Sequence, residues 1–92
     1  MTTRSVTIRN QLGMHARAAA RFVHTASAFA SQIWVTRDGK VMDGKSILGI
    51  LLLAAGQGSL LTISAEGHDE AAAVDALSAL VESGFGELPC NG

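Results

Sequence analysis

Gln32-Ile33-Trp34-Val35-Thr36-Arg37-Asp38-Gly39-Lys40-Val41-Met42-Asp43-Gly44-Lys45-Ser46 can be read in two ways, and the choice settles the fold. Gly39 to Ser46 satisfies the pattern G-x-x-x-x-G-K-S, a phosphate-cradling loop between a strand and a helix. On that reading the chain is a small nucleotide binder built on a parallel sheet. On the other, Asp38-Gly39 is a two-residue hairpin turn that joins a strand from Gln32 to Thr36 to a short strand from Lys40 to Met42. Ser46 is then a helix N-cap rather than a phosphate ligand. The hairpin is the better use of these residues. Asp43 would bring a carboxylate towards the phosphates, and 92 residues leave too little chain for the crossovers a parallel sheet requires. Only Asp38, Asp43 or Glu66 could act as a second acidic magnesium ligand, and none follows an apolar strand in the usual way.

Working outward from the hairpin, both flanks alternate helix and strand. Ile33 and Val35 share one face of their strand and belong under the helices, which puts Trp34 on the other, open face. Towards the N-terminus, Ser5 to Arg9 alternates with Val6 and Ile8 on one side. Asn10 to His15 reads as a loop in which Gly13 can take a positive φ. The alanine-rich run from Ala16 to about Ala30 favours helix, with Ala19, Phe22, Val23, Ala26 and Phe29/Ala30 as its apolar stripe. Towards the C-terminus, Ser46 opens a short apolar helix from Ile47 to about Ala54, and Gly56-Gln57-Gly58 breaks it. Leu60 to Ala65 is a fourth strand with Leu61, Ile63 and Ala65 on one side. Asp69 is placed to cap a last helix whose stripe is Ala73, Val74, Leu77, Leu80 and Val81, and Gly84 is the expected residue after its end. The order βαββαβα predicts an α+β fold, a four-stranded antiparallel sheet with three helices on one face.

Composition closes off other classes. The length is that of one domain, expected over residues 1–87, with Leu88 to Gly92 a short flexible tail. A net charge of −1 excludes a generic nucleic-acid or polyanion binder. Cys90 is the one cysteine, so neither a disulfide framework nor a thiolate metal cluster can form. The histidines, His15, His24 and His68, are scattered without matching carboxylates, and no metal is expected. The N-terminus lacks the apolar core of a secretion signal, and Ile47 to Ala55 is far shorter than a membrane span. A cytoplasmic protein is expected.

The chemistry concentrates at His15. It stands at the mouth of the first helix, where unpaired backbone N–H groups and a partial positive charge make an anion site. Arg17 adds a planar donor fork suited to phosphate oxygens. The same surroundings disfavour imidazolium, so a neutral ring with a nucleophilic nitrogen is expected. Arg21 and His24 continue the stripe and give a modest cationic face. On spacing alone a histidine beside a helix start is most often a surface residue or a local cap, and His24 and His68 read as solvated residues. A third class, an interaction module without phosphoryl chemistry, would use exposed residues of Ile47-Leu48 and Leu51-Leu52 as its patch. The pairing of His15 with Arg17 supplies the parts of a phosphohistidine, and an inert module needs neither.

Gly13-Met14-His15-Ala16-Arg17, at this distance from the N-terminus, resembles the active-site loop of the HPr family, the histidine-containing phosphocarriers of the phosphoenolpyruvate-dependent phosphotransferase system. Lys45 to Gly49, Gly58, Thr62 to Gly67 and Asp69-Glu70 look like that family's second half, in order and at family spacing. The resemblance covers about residues 5–87. It implies an open-faced β-sandwich in which His15 takes a phosphoryl group from Enzyme I, passes it to a IIA-type protein, and is steadied by Arg17. No cofactor is implied, and a monomer is expected. Docking is expected on Ala16, Ala20, Arg21, His24, Ile47, Leu48 and Leu51. The loop from Asn10 to Arg17 and Ser83-Gly84-Phe85 are similar to the nitrogen-related branch, NPr. Lys45-Ser46-Ile47 instead looks like family members regulated by a serine kinase, which implies phosphorylation at Ser46. Ala18 stands where the family usually has proline, and His24, Ser27 and Gly49 stand where charge is usual.

Overall fold

The computed structural model describes residues 1–86. Its elements are β1 (Thr2–Thr7), α1 (Ala16–Ser27), β2 (Gln32–Arg37), β3 (Lys40–Asp43), α2 (Ile47–Leu52), β4 (Leu60–Glu66) and α3 (Glu70–Glu82), followed by a single 3-10 turn, Gly84–Gly86. The sheet order is β1-β4-β2-β3, with every neighbouring pair antiparallel. The hairpin reading holds: Asp38 (φ 49°) and Gly39 (φ 82°) both lie in the left-handed region that a type I′ turn demands. Arg37 pairs with Lys40 directly across it.

The phosphate-loop alternative is overturned by the same segment. Lys40–Asp43 is strand, and the groups a phosphate cradle would offer are bonded within the fold. The Gly44 N–H donates to the Ile33 carbonyl (2.7 Å) and the Ser46 N–H to that of Asp43 (3.1 Å). The Lys45 N–H donates to Asp43 Oδ1 (2.9 Å) and its Nζ to the Phe29 carbonyl (2.7 Å). The match to the motif is a hairpin running into a helix cap.

Alternation sorts the sheet residues. Val6, Ile33, Val35, Leu61, Ile63 and Ala65 are buried beneath the helices, against Phe22, Ile50, Leu53, Val74, Leu77, Val81 and Phe85. Trp34 is on the other face, half-buried beside Met1, Thr36, Val41 and Ser64 in a hollow of about 240 Å³.

Strands β2, β3 and β4 each run one residue further than expected, and three elements differ from the sequence reading by two residues or more. β1 begins at Thr2, because pairing with β4 from Thr2–Ala65 to Thr7–Leu60 fixes it rather than apolar periodicity. Ile8 stays buried but bonds to the Gly58–Ser59 loop. Helix α2 stops at Leu52, where Ala54 turns the chain with φ 51°. Helix α1 stops at Ser27, and its exit explains a further correction. Asp69 occupies the N-cap position of α3 yet makes no capping bond. Its carboxylate reaches across the fold to accept from the N–H groups of Ala30 (2.8 Å) and Ser31 (3.0 Å) and from the Ser31 hydroxyl. These bonds hold its pKa down at about 2, the Ser31 hydroxyl contributing most. Glu70 instead takes the Gly67 N–H (3.2 Å) and the Thr2 hydroxyl (2.6 Å), and both draw its pKa down, the Thr2 hydroxyl first. Gly84, with φ 71°, follows α3 as expected. The expected tail from Leu88 onward, with Cys90, lies outside the described residues.

Candidate functional site

The site begins with a backbone constraint. Gly13 has φ 68°, and a Cβ there would lie 2.7 Å from the Ala55 carbonyl oxygen. Only glycine allows the loop after β1 to rest directly on the Ala55-Gly56 backbone that follows α2. Met14 then donates its N–H to that Ala55 carbonyl (2.8 Å) and buries its side chain. The chain emerges at His15 in an extended conformation (φ −81°, ψ 179°), and α1 starts at the next residue.

His15 is therefore itself the N-cap. Its carbonyl accepts the first helical bond, from Ala19 N–H (2.8 Å). Its Nδ1 accepts from the Arg17 N–H (3.1 Å), the role usually taken by a serine or aspartate oxygen. An accepting Nδ1 carries a lone pair and no proton, so the neutral ring places its proton on Nε2. The lone pair lies against the positive end of a twelve-residue helix. The ring is half-buried, while Ala16 and Arg17 beside it are exposed. Ala18, in the place of the family proline, is buried in the first turn and keeps an N–H that proline would lack.

Most, not all, of the expected docking residues are exposed. Ala16, Arg17, Ala20, Arg21 and His24 are exposed on α1. Arg17, Ala20, Arg21, His24 and Thr25 line a shallow hollow of about 390 Å³ with Leu80 of α3. Arg21 departs from the cationic face, since its Nη1 donates to the Phe85 carbonyl and ties α1 to the turn after α3. Helix α2 packs beside α1, with Leu48 (67% exposed) and Ile47 (44%) on its outer side. Leu51 is only half-exposed and packs against the core. Ser46 caps α2, its Oγ accepting from the Gly49 N–H (3.0 Å).

One exposed apolar residue close to His15 in the chain escapes the sequence reading, and a second figures there only in the patch of the interaction-module alternative. Leu12 (72% exposed) projects from the loop three residues before His15, and Leu52 (55%) lies at the end of α2. A leucine between polar Gln11 and Gly13 in a short loop is the one signal that could have marked Leu12. Among the described residues, no group of three or more His, Cys, Asp or Glu could hold a metal ion, and no helix is long and apolar enough to cross a membrane.

Comparison with known proteins agrees with this fold. A family model described as "PTS HPr component phosphorylation site" matches residues 2–83. The chain is similar to the phosphocarrier protein HPr of Cupriavidus necator, at 48% identity over 87 residues, covering 95% of this chain and 98% of that protein. It is also similar to the phosphocarrier protein NPr of Shewanella violacea, at 43% identity over 84 residues, covering 91% and 92%. A crystal structure of HPr from Thermoanaerobacter tengcongensis matches the fold with a TM-score of 0.91 and 52% identity, covering 95% of this chain and 98% of that one.

Proposed function

Because this chain belongs to the HPr family of phosphotransferase-system phosphocarriers, we propose that it carries its phosphoryl group on Nδ1 of His15. The observation that supports this is the Nδ1 lone pair held against the helix N-terminus by the Arg17 N–H. In the transfer, the bond from phosphorus to the donor breaks as the Nδ1–phosphorus bond forms. The phosphoryl oxygens then replace Nδ1 as acceptors for the N–H groups of the first turn, and the exposed Arg17 guanidinium adds a donor fork. Such a transition state is loose, so positioning and charge compensation are almost all the protein has to supply. The reverse step hands the group on and leaves the chain unchanged, so it acts as a stoichiometric carrier.

The donor is a phosphorylated Enzyme I and the acceptors are IIA-type proteins of the cytoplasmic sugar phosphotransferase system. They dock as large partners on a monomeric carrier. Ala16, Ala20, Arg21 and His24 on α1, with Ile47 and Leu48 on the neighbouring α2, form the contact face, and Leu51, packed against the core, supports it. Ser46 is the regulatory position for a serine kinase and its phosphorylase. A phosphate there sits at the start of α2, next to exposed Ile47 and Leu48, and puts charge on an otherwise apolar contact. The similarity to NPr supports a second reading, a regulatory nitrogen-branch carrier with the same chemistry and a different donor. Incubation with Enzyme I and phosphoenolpyruvate, in parallel with the nitrogen-branch donor, separates the two. Acid-labile phosphate on the wild type and none on His15→Ala is the expected result. Labelling that survives the substitution overturns it.

A further inference from the structure

His15 caps its helix from a loop held in one shape, and the holding group is a side chain outside the docking face. Asn10 is 1% exposed, a polar residue enclosed where β1 gives way to the loop. Its Nδ2 donates to the Gly13 carbonyl (2.8 Å). Its own carbonyl accepts from the Gly13 N–H (3.1 Å), so Asn10 grips Gly13 on both sides. The same Gly13 oxygen also accepts the His15 N–H (3.0 Å). One carbonyl thus joins the start of the loop to the catalytic end, and Met14, pinned to Ala55, fixes the peptide between them.

We propose that Asn10 is a positioning residue for phosphoryl transfer: by orienting the Gly13 carbonyl, its carboxamide directs Nδ1 of His15 at the start of α1. The proposal rests on the reading of His15 as the phosphoryl acceptor. A buried carboxamide suits the task, because it donates without charge and its two-bond reach spans the turn. A carboxylate of the same size has no proton to give, and alanine has no donor at all. Without the donor, the Gly13 carbonyl and the peptides after it sample other orientations. The ring then spends part of its time off the helix axis, and transfer falls with the fraction of correctly placed rings.

The test compares Asn10→Asp and Asn10→Ala with the wild type as substrates of phosphorylated Enzyme I. The expected loss is about tenfold or more in kcat with KM unchanged, because the contact residues on α1 and α2 are untouched. In the ¹⁵N spectra, the Arg17 amide proton should move towards the position of a non-bonded amide, and the His15 nitrogens should lose the pattern of an accepting Nδ1. Ser31→Ala is the control. It cuts the Asp69 tie at the far end of α1, so it should lower Tm while leaving kcat and the Arg17 amide where they are. Full-rate transfer by both Asn10 variants with an unmoved Arg17 amide overturns the proposal. If neither variant folds, the wild type still decides: exchange-protected Asn10 side-chain protons and an accepting Nδ1 are required, and absence of either refutes it. If the wild type is not labelled on His15, it is the functional reading that fails, while the spectra still judge Asn10.

Discussion

Ala54→Gly should make this protein more stable. Ala54 is an exposed alanine held at φ 51° at the end of α2, where the chain must reverse to bring the Ala55 carbonyl under Met14. An L-residue in the left-handed region costs about 1–2 kcal/mol because its Cβ crowds the backbone. Glycine relieves that cost but gives the unfolded chain more freedom, which returns about 0.4–1 kcal/mol. The methyl group is exposed, so little apolar burial is lost with it. The net gain is about 0.5–1 kcal/mol, a rise in Tm of about 4 °C for a domain of this size. Thermal unfolding followed by circular dichroism measures it, with Gly39→Ala as the mirror experiment. Gly39 has φ 82° and open space around its missing Cβ, so a methyl there meets the conformational cost alone and should lower Tm by a similar amount. Phosphoryl transfer should be unaffected by either change. A Tm for Ala54→Gly equal to or below the wild type would show that the left-handed turn is not strained, and the reasoning would fail.

Other consequences follow from the side chains that join the loops. Asp69 has a pKa of about 2 in the folded protein against 3.8 in the unfolded chain, so its contribution is fully present above about pH 4 and disappears as pH falls towards 2. Asp69→Asn should therefore flatten the acid limb of a stability–pH curve in that window, only in part, since Glu70 is depressed as well; an acid limb as steep as the wild type's would contradict the assignment. Ser46→Ala should lose about 1 kcal/mol of cap stability yet accept phosphate normally. Ser46→Asp should keep Tm and slow phosphorylation of His15 by about ten- to a hundredfold, the rate equivalent of burying a charge beside Ile47 and Leu48. Wild-type rates for Ser46→Asp would reduce the serine to a cap.

The parts of the fold that depend on neighbours in sequence were legible in the sequence. Asp38-Gly39 could be read because a type I′ turn admits few residue pairs, and Gly84 because a helix end that turns left-handed favours glycine. The alternation of Ile33, Trp34 and Val35 assigned the two sheet faces correctly, since strand geometry repeats every second residue. What could not be read depends on residues far apart in the chain. Asp69 looks like a cap by position, but its partners Ala30 and Ser31 arrive from the other end of α1. Arg21 looks like part of a cationic stripe, but the Phe85 carbonyl takes its guanidinium. Ala54 gives no signal at all, because alanine is a poor marker for a left-handed turn. At the site, position alone put His15 at a helix mouth. That its own Nδ1 is the cap, and that Asn10 holds the loop, emerges only once Gly13 is seen against Ala55.

The central claim is atomic: phosphate goes to the ring nitrogen that caps α1. Protein labelled with ¹⁵N, phosphorylated by Enzyme I and phosphoenolpyruvate, and observed by ³¹P–¹⁵N correlation spectroscopy tests it most directly. The expected result is a single phosphohistidine in which phosphorus couples to Nδ1 of His15, with the Arg17 amide proton shifting as its acceptor changes from nitrogen to phosphoryl oxygen. Coupling to Nε2, or to a nitrogen of His24 or His68, would contradict it.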